Sequence, residues 1–198
     1  MKWKYLSSKE QNAFINKEET FYRHARFYSR RANFELAIYI AVVLILALAV
    51  RAFVFEPIVV SGPSMNNTLV DGERMFVEKV SYWFAPPKRG DIIICYYQYE
   101  DEFCVKRVIG LPGETISVAD GRVFINGEAL DEGVYWNDEI LLDTQERVVP
   151  EDTVFVMGDN RNLSLDSRSD RVGPIDYKYV VGQARYVIWP FANLRSLL

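Results

Sequence analysis

"DIIICYYQYEDEFCVKRVIG", Asp91 to Gly110, is the stretch from which the fold is read. Two β-rich runs, Asp91–Gln98 and Phe103–Gly110, flank a polar tip. Such a pattern reads as two antiparallel strands joined in a hairpin. Centred between Tyr99 and Glu100, the hairpin sets Cys95 directly opposite Cys104. Alternation along the second strand places Lys106 on one face with Cys104 and Val108, and turns Arg107 to the other. A lysine in a strand is usually a solvated edge residue. Lys106 among apolar neighbours therefore raises a chemical question.

Similar runs lie on both sides. "PIVVS" (Pro57–Ser61) and "RMFVEKV" (Arg74–Val80) precede the hairpin. "ETISVADGRVFINGEAL" (Glu114–Leu130) carries Asp120-Gly121 and Asn126-Gly127, both strong hairpin turns. "TVFVMGDN" (Thr153–Asn160) and "VVGQARYVIW" (Val180–Trp189) complete the set, with loops expected at 81–90 and 131–152. No long amphipathic helix is predicted after residue 57. The fold class is mostly β, an extended antiparallel sheet domain. "RGD" at Arg89–Asp91 reads as a turn entering a strand rather than an adhesion motif.

Before the sheet comes "LAIYIAVVLILALAV", Leu36 to Val50, without a charge. At 1.5 Å per residue it spans roughly 22 Å, short of a hydrocarbon core of about 30 Å. Extension through "RAFVF" to Phe55 supplies the missing length, with Arg51 snorkelling at the end. A cleaved secretory leader is the competing reading, but a 35-residue polar segment with four glutamates makes a poor n-region. We expect a cytoplasmic segment over 1–33, a single transmembrane helix over 34–56 and an extracytoplasmic β-rich domain over 57–198. The orientation follows from Arg23, Arg26, Arg30 and Arg31 on the N-terminal flank; after Arg51 no Lys or Arg appears until Arg74.

Composition narrows the chemistry. The 198 residues carry a net charge of −4, with eight Lys/Arg against four Glu in residues 1–35. That segment is +4, which leaves −8 for the rest. An acidic bulk without a basic stripe argues against nucleic acid as a partner. Two cysteines and one histidine, His24, hardly supply the ligands of a zinc site, and no metal or cofactor is expected. His24 lies beyond the apolar run from "SGPSMNNTL", Ser61–Leu69, so a Ser-His-Asp triad at Ser64 is excluded.

A serine hydroxyl needs a base to become a nucleophile. Without histidine, carboxylates or a lysine remain. Burial in apolar surroundings disfavours an ammonium, so a lysine base belongs in an apolar strand. Of Lys79, Lys88, Lys106 and Lys178, Lys88 reads as exposed beside Arg89, Lys79 ends a strand next to Glu78, and Lys178 is ambiguous. The local sequence favours Lys106. A second polar cluster, "GDNRNLSLDSR" (Gly158–Arg168), follows an apolar strand, where a rigid scaffold presents functional groups.

"SGPSM" behind a membrane segment, "KRVIGLPGE" and "GDNRNLSLDSR", in this order and spacing, resemble type I signal peptidases. The resemblance runs from the apolar helix to "VIWP". It implies a membrane-anchored serine endopeptidase with a Ser-Lys dyad, acting on secretory preproteins at small-x-small sites. By motif position, Ser64 would be the nucleophile, Lys106 the general base and Ser164 the group that holds the amine. Asp159 with Arg107, and Asp166 with Arg168, would be supporting ion pairs. Here Asn67 replaces a proline common in the family, and Gly62 stands where some members carry a hydroxyl for the oxyanion. The oxyanion would then rest on the Ser64 backbone N–H.

Substrate would add as a strand beside Ile58, Val59, Val60, Ser61 and Gly62 on one side and Cys104 and Val105 on the other, with Met65 nearby. Trp83, Phe84 and the apolar stretch before Ser61 would bring the domain to membrane lipid. Cys95 and Cys104 are not a family hallmark, and outside the cell a cross-strand disulfide between them is expected to be possible. Two further readings stay open: a non-enzymatic peptide-binding β module, against which Ser64 and Lys106 argue, and a relative dedicated to one substrate such as a pilin.

Overall fold

A computed structural model describes residues 7–133 and 140–197. The chain divides into two units, Met1–Val50 and Arg51–Leu198. Among the described residues, the first is helix from Ser8 onward. Helix α1 runs Ser8–Phe53. At its start the Glu10 carboxylate accepts from both the N–H and the hydroxyl of Ser7, one half of a capping box. Within Arg31–Phe53 an 18-residue window reaches a mean hydropathy of 2.6, so the segment is long and apolar enough to cross a membrane. The helix ends three residues before the expected boundary at 56, because Phe55 and Glu56 already pair in a strand. Pro57, which has no N–H and disfavours helix in the residue before it, explains the stop.

The second unit is built from two antiparallel sheets. The larger contains β1 (Phe55–Val59), β2 (Arg74–Glu78), β3 (Ile92–Tyr97), β4 (Glu102–Gly110), β9 (Thr153–Met157), β10 (Ile175–Asp176), β11 (Val180–Trp189) and β12 (Arg195–Ser196). Its order is β1-β2-β11-β3-β4-β9-β10, with β12 beside β11. The smaller runs β7-β6-β5-β8, from β5 (Thr115–Ala119), β6 (Arg122–Ile125), β7 (Glu128–Ala129) and β8 (Thr144–Val148). The mostly-β expectation therefore holds, and the β3–β4 register sets Cys95 opposite Cys104 and Ile93 opposite Lys106. Asp120-Gly121 and Asn126-Gly127 all take positive φ, as two-residue type I′ hairpin turns require.

Two features differ from the expectation. The loop at 131–152 contains β8, which pairs with β5; residues 134–139 of that loop lie outside the described residues. The strand is mostly exposed and its sequence, "TQERV", shows no apolar alternation, so its pairing partner rather than its pattern makes it a strand. The short strands β10 and β12 likewise carry no sequence signal of their own.

Three apolar clusters fill the domain. Ile92 and Ile94 point into one with Met75, Val77 and Leu69; Ile93, Cys95 and Tyr97 point into another with Val108, Val154 and Val156. Strand β3 is thus covered on both faces, which explains its unbroken apolar run. Ile116, Val123 and Phe155 form the third, joining the small sheet to β9. At about 25 cal/mol per Å² of apolar surface removed from water, these clusters supply most of the drive to hold β4 in place. The triplet Arg89–Asp91 is a turn: Arg89 binds Glu114 and the Ile109 carbonyl, and Asp91 accepts from Tyr82 and Gln183.

Candidate active site

Ser64 sits in a tight turn after β1. Gly62, at φ +86°, lets the chain reverse, and its N–H is capped by the Asp71 carboxylate. Met65 and Leu69 anchor the turn in the core, and Leu69 N–H donates to the Met65 carbonyl. Asn67 adopts φ +85°, a left-handed conformation that asparagine tolerates. A proline, fixed near −65°, would not fit there, so the family proline is absent for a backbone reason.

Lys106 enters from β4. Its side chain is 3% exposed, and Nζ lies 2.9 Å from Ser64 Oγ. The Tyr97 ring centroid is 6.0 Å from the same nitrogen. Among the described residues Nζ pairs with no carboxylate. The Ser64 N–H has no acceptor among them either, while the Ser64 carbonyl accepts from Asn160 N–H at 3.0 Å.

The neighbouring Arg107 is treated differently. Its Nε and Nη2 grip Asp159 at 2.8 and 2.7 Å, and Nη1 reaches the Gly90 carbonyl. Asp159 also accepts from Thr68 Oγ1 at 2.5 Å, so the pair ties the serine turn to β4 and to the segment after β9. Asp166 receives Arg168 Nε at 2.8 Å and the Gly158 N–H at 3.0 Å. Both expected ion pairs are therefore present. A methyl group at Gly158 would collide with Ser164 Oγ and with the Ser64 carbonyl, so only glycine lets these two segments meet.

Ser164 needs a correction. Its hydroxyl is buried beside Gly158, but it makes no hydrogen bond to Lys106 or to any other described group. Ser164 is extended, with φ −125° and ψ 127°, and the short turn Arg161–Leu163 before it sets where its side chain points. The cysteines face each other as expected, and of the two open alternatives both thiols are free. Cys95 Sγ donates to the Cys104 carbonyl, and Cys104 Sγ to Glu102. Burial pushes the Cys104 thiol up to about 11 and raises Cys95 further, so neither offers much thiolate for exchange at neutral pH.

The expected substrate residues converge. A groove of about 290 Å³ is lined by Ile58, Val59, Val60, Ser61, Gly62 and Met65 on one wall and Cys104 and Val105 on the other, with Ser64 and Lys106 between them. Strand β1 is the edge of its sheet, and β4 meets β9 only from Arg107 onward, so both walls carry open strand edges. Tyr97 and Leu165 also line the groove and were not foreseen. Tyr97 looked like one more core residue of β3. Leu165 lies in a polar cluster that gives no hint of its direction.

Sequence reasoning also missed Arg161 with Glu132. Arg161 is 1% exposed, holds Glu132 through both terminal nitrogens at 2.7 and 2.5 Å, and donates Nε to the Gly158 carbonyl. Glu132 lies 29 residues earlier in an irregular segment, and nothing local marks it as a partner.

Comparison with known proteins supplies the family. Residues 33–189 match the family described as signal peptidase, peptidase S26. The chain is 41% identical over 176 residues to Signal peptidase I of Bacillus licheniformis, covering 84% of this chain and 94% of that protein. It is 39% identical over 166 residues to Signal peptidase I T of Bacillus subtilis strain 168, covering 79% and 86%. A crystal structure of a signal peptidase I from Enterococcus faecalis V583 is 34% identical, with a TM-score of 0.41 over 50% of this chain and 97% of that one. The chain thus belongs to the signal peptidase family, peptidase S26, membrane-associated serine-type peptidases that remove signal peptides from preproteins.

Proposed function

We propose that this chain cleaves preproteins with a Ser64–Lys106 dyad. The observation that carries the proposal is the 2.9 Å contact between Lys106 Nζ and Ser64 Oγ. The uncharged amine accepts the Ser64 proton as Oγ attacks the scissile carbonyl. The tetrahedral oxyanion forms beside the Ser64 N–H, which is left without a protein acceptor and so is free to donate. Lys106 then returns the proton to the leaving amine, and the acyl-enzyme is hydrolysed by a water that gives its proton to the same nitrogen. The mechanism needs an unprotonated amine, and the site offers no carboxylate to hold an ammonium.

The preprotein lies in the groove as an added strand, between the open edges of β1 and of β4 before Arg107. Ile58, Val60, Met65 and Val105 make its walls apolar and shallow, which favours small side chains at the alternate positions that point inward, as in A-x-A. Ser61 and Cys104 flank the strand. Asp159–Arg107 and Asp166–Arg168 keep the turns that carry Ser64 and Ser164 in place. The N-terminus lies in the cytoplasm and the β domain outside, in line with the basic flank before the apolar helix. Exposed Trp83 and Phe84 rest on lipid near the point where signal peptides emerge.

The test uses the full chain in detergent or liposomes with a preprotein bearing A-x-A. Ser64→Ala and Lys106→Met should each abolish cleavage while melting as the parent does. Undiminished cleavage by either variant would refute the dyad. A preprotein with a bulky residue in place of either alanine should resist cleavage, and equal processing would remove the small-side-chain rule.

A further inference from the structure

Tyr97, the last residue of β3, belongs to neither expected ion pair nor to the dyad, yet it touches both sides of the groove. Its side chain is 3% exposed. The ring lies behind Lys106 Nζ, and the hydroxyl donates to the Leu165 carbonyl at 3.3 Å. Leu165 follows Ser164 and precedes Asp166. Asp166 is pinned by Arg168, by Gly158 N–H and, through its carbonyl, by Ser169 N–H, while Tyr97 ties the preceding Leu165, next to Ser164. A phenylalanine would fill the same space, so the hydroxyl is there for its one described partner, the Leu165 carbonyl. Burial raises the phenol well above its ordinary value, which keeps the proton on oxygen and the donor in service.

We propose that Tyr97 is a positioning residue for peptide hydrolysis: its hydroxyl fixes the Ser164–Asp166 segment, and its ring closes the back of the amine's pocket. The proposal rests on the Ser64–Lys106 reading and adds a constraint to it. Lys106 has four freely rotating side-chain bonds, and a productive contact with Ser64 needs most of that freedom removed. Cys104 and Val108 share the Lys106 face of their strand, and the Tyr97 ring centroid lies 6.0 Å from the nitrogen. A segment loosened at Leu165 would let Ser164 drift and admit water to the amine from the Leu165 side.

The experiment compares Tyr97→Phe and Tyr97→Leu in the full detergent-solubilised chain, reading kcat, KM and melting temperature with a preprotein substrate. Tyr97→Phe removes one buried neutral hydrogen bond and should lower kcat about fivefold, with KM within about twofold. Tyr97→Leu removes the ring as well and should lower kcat by about fiftyfold or more. Partial retention in the phenylalanine variant assigns the remaining effect to the ring. An unchanged kcat in Tyr97→Phe, or a raised KM at constant kcat in both variants, would reduce Tyr97 to groove lining and overturn the proposal. So would a lower melting temperature with parental turnover per folded enzyme. Should Tyr97→Leu fail to fold, the volume-conserving phenylalanine variant decides alone. Lys106→Met separates the two levels: if it still cleaves, the dyad reading fails; if it is dead while Tyr97→Phe turns over normally, only the positioning role fails.

Discussion

Lys106 and Arg107 are consecutive basic residues on β4, 3% and 7% exposed, and their surroundings are opposite. Arg107 is clamped by Asp159 and by the Gly90 carbonyl, with Thr68 completing the carboxylate's bonds. Lys106 meets a hydroxyl and an aromatic ring. The difference follows from chemistry. A guanidinium keeps its charge at any pH a protein tolerates, so burying one demands an anion and a full set of acceptors. Lys106 has no such anion among the described residues, and under the proposed mechanism its amine is the group that takes the serine proton. Strand alternation is what separates them, sending one side chain to the groove and the other to the clamp.

The largest effect should come from erasing that difference. Lys106→Arg places a group that cannot act as a base at the serine, and cleavage of a preprotein should fall by roughly 10⁴-fold or more, as when a triad member is lost. Turnover within a factor of about ten of the parent would show that lysine and arginine are interchangeable there and that the contrast has no catalytic meaning.

Breaking the clamp is the next step down. Asp159→Ala leaves a buried guanidinium without its anion and should cost about 3–5 kcal/mol of stability, measured by thermal or denaturant unfolding of the full chain. Replacing both partners, Arg107→Met with Asp159→Leu, should cost clearly less, since no charge is stranded. An equal loss in the two would mean the pair contributes packing rather than charge compensation.

The Arg161–Glu132 pair repeats the clamp one segment away, on the carbonyl of Gly158. Glu132→Gln keeps an acceptor but removes the charge, and should cost about 1.5–3 kcal/mol. It should also lower turnover by a smaller factor than Lys106→Arg, because Gly158 sets the approach of Ser164 to Ser64. Parental stability in this variant would limit the comparison to β4.

The smallest effect concerns Glu73, the anion of a further clamp behind the serine turn. Its hydrogen bonds from Arg195 hold the carboxyl down to about 2, against an ordinary 4.5. The folded state thus prefers the ionised form, and the stabilisation is complete above pH 4.5 and lost as pH falls towards 2. The stability gap between the parent and Glu73→Gln should therefore shrink over that interval. A gap that stays constant with pH would show that charge is not what Glu73 contributes.

Much of the site was legible because its signals are local. Alternation in "FCVKRVIG" placed Lys106 and Arg107 on opposite faces, and the Asp-Gly and Asn-Gly turns fixed the hairpins of the small sheet. The absence of a usable histidine left carboxylates or a lysine as candidate bases, the apolar neighbours favoured Lys106, and the motif resemblance supplied the proposed roles of Lys106, Asp159 and Asp166. Strand β8 was not legible, since an exposed polar segment becomes a strand only through its neighbour. Ser164 was expected on the amine and stands apart from it, because short turns, not composition, aim its hydroxyl.

By itself the sequence determined the anchor-then-sheet order, the β3–β4 register and the identity of the two groups that meet at 2.9 Å. Periodicity and charge are properties of neighbouring residues, so they survive reading along the chain. Only the tertiary structure decided that Glu132 reaches Arg161, that Tyr97 reaches Leu165, and that Gly158 must lack a side chain. Those contacts join residues 29 and 68 positions apart, where the partner is chosen by how the sheets pack and not by anything written beside it.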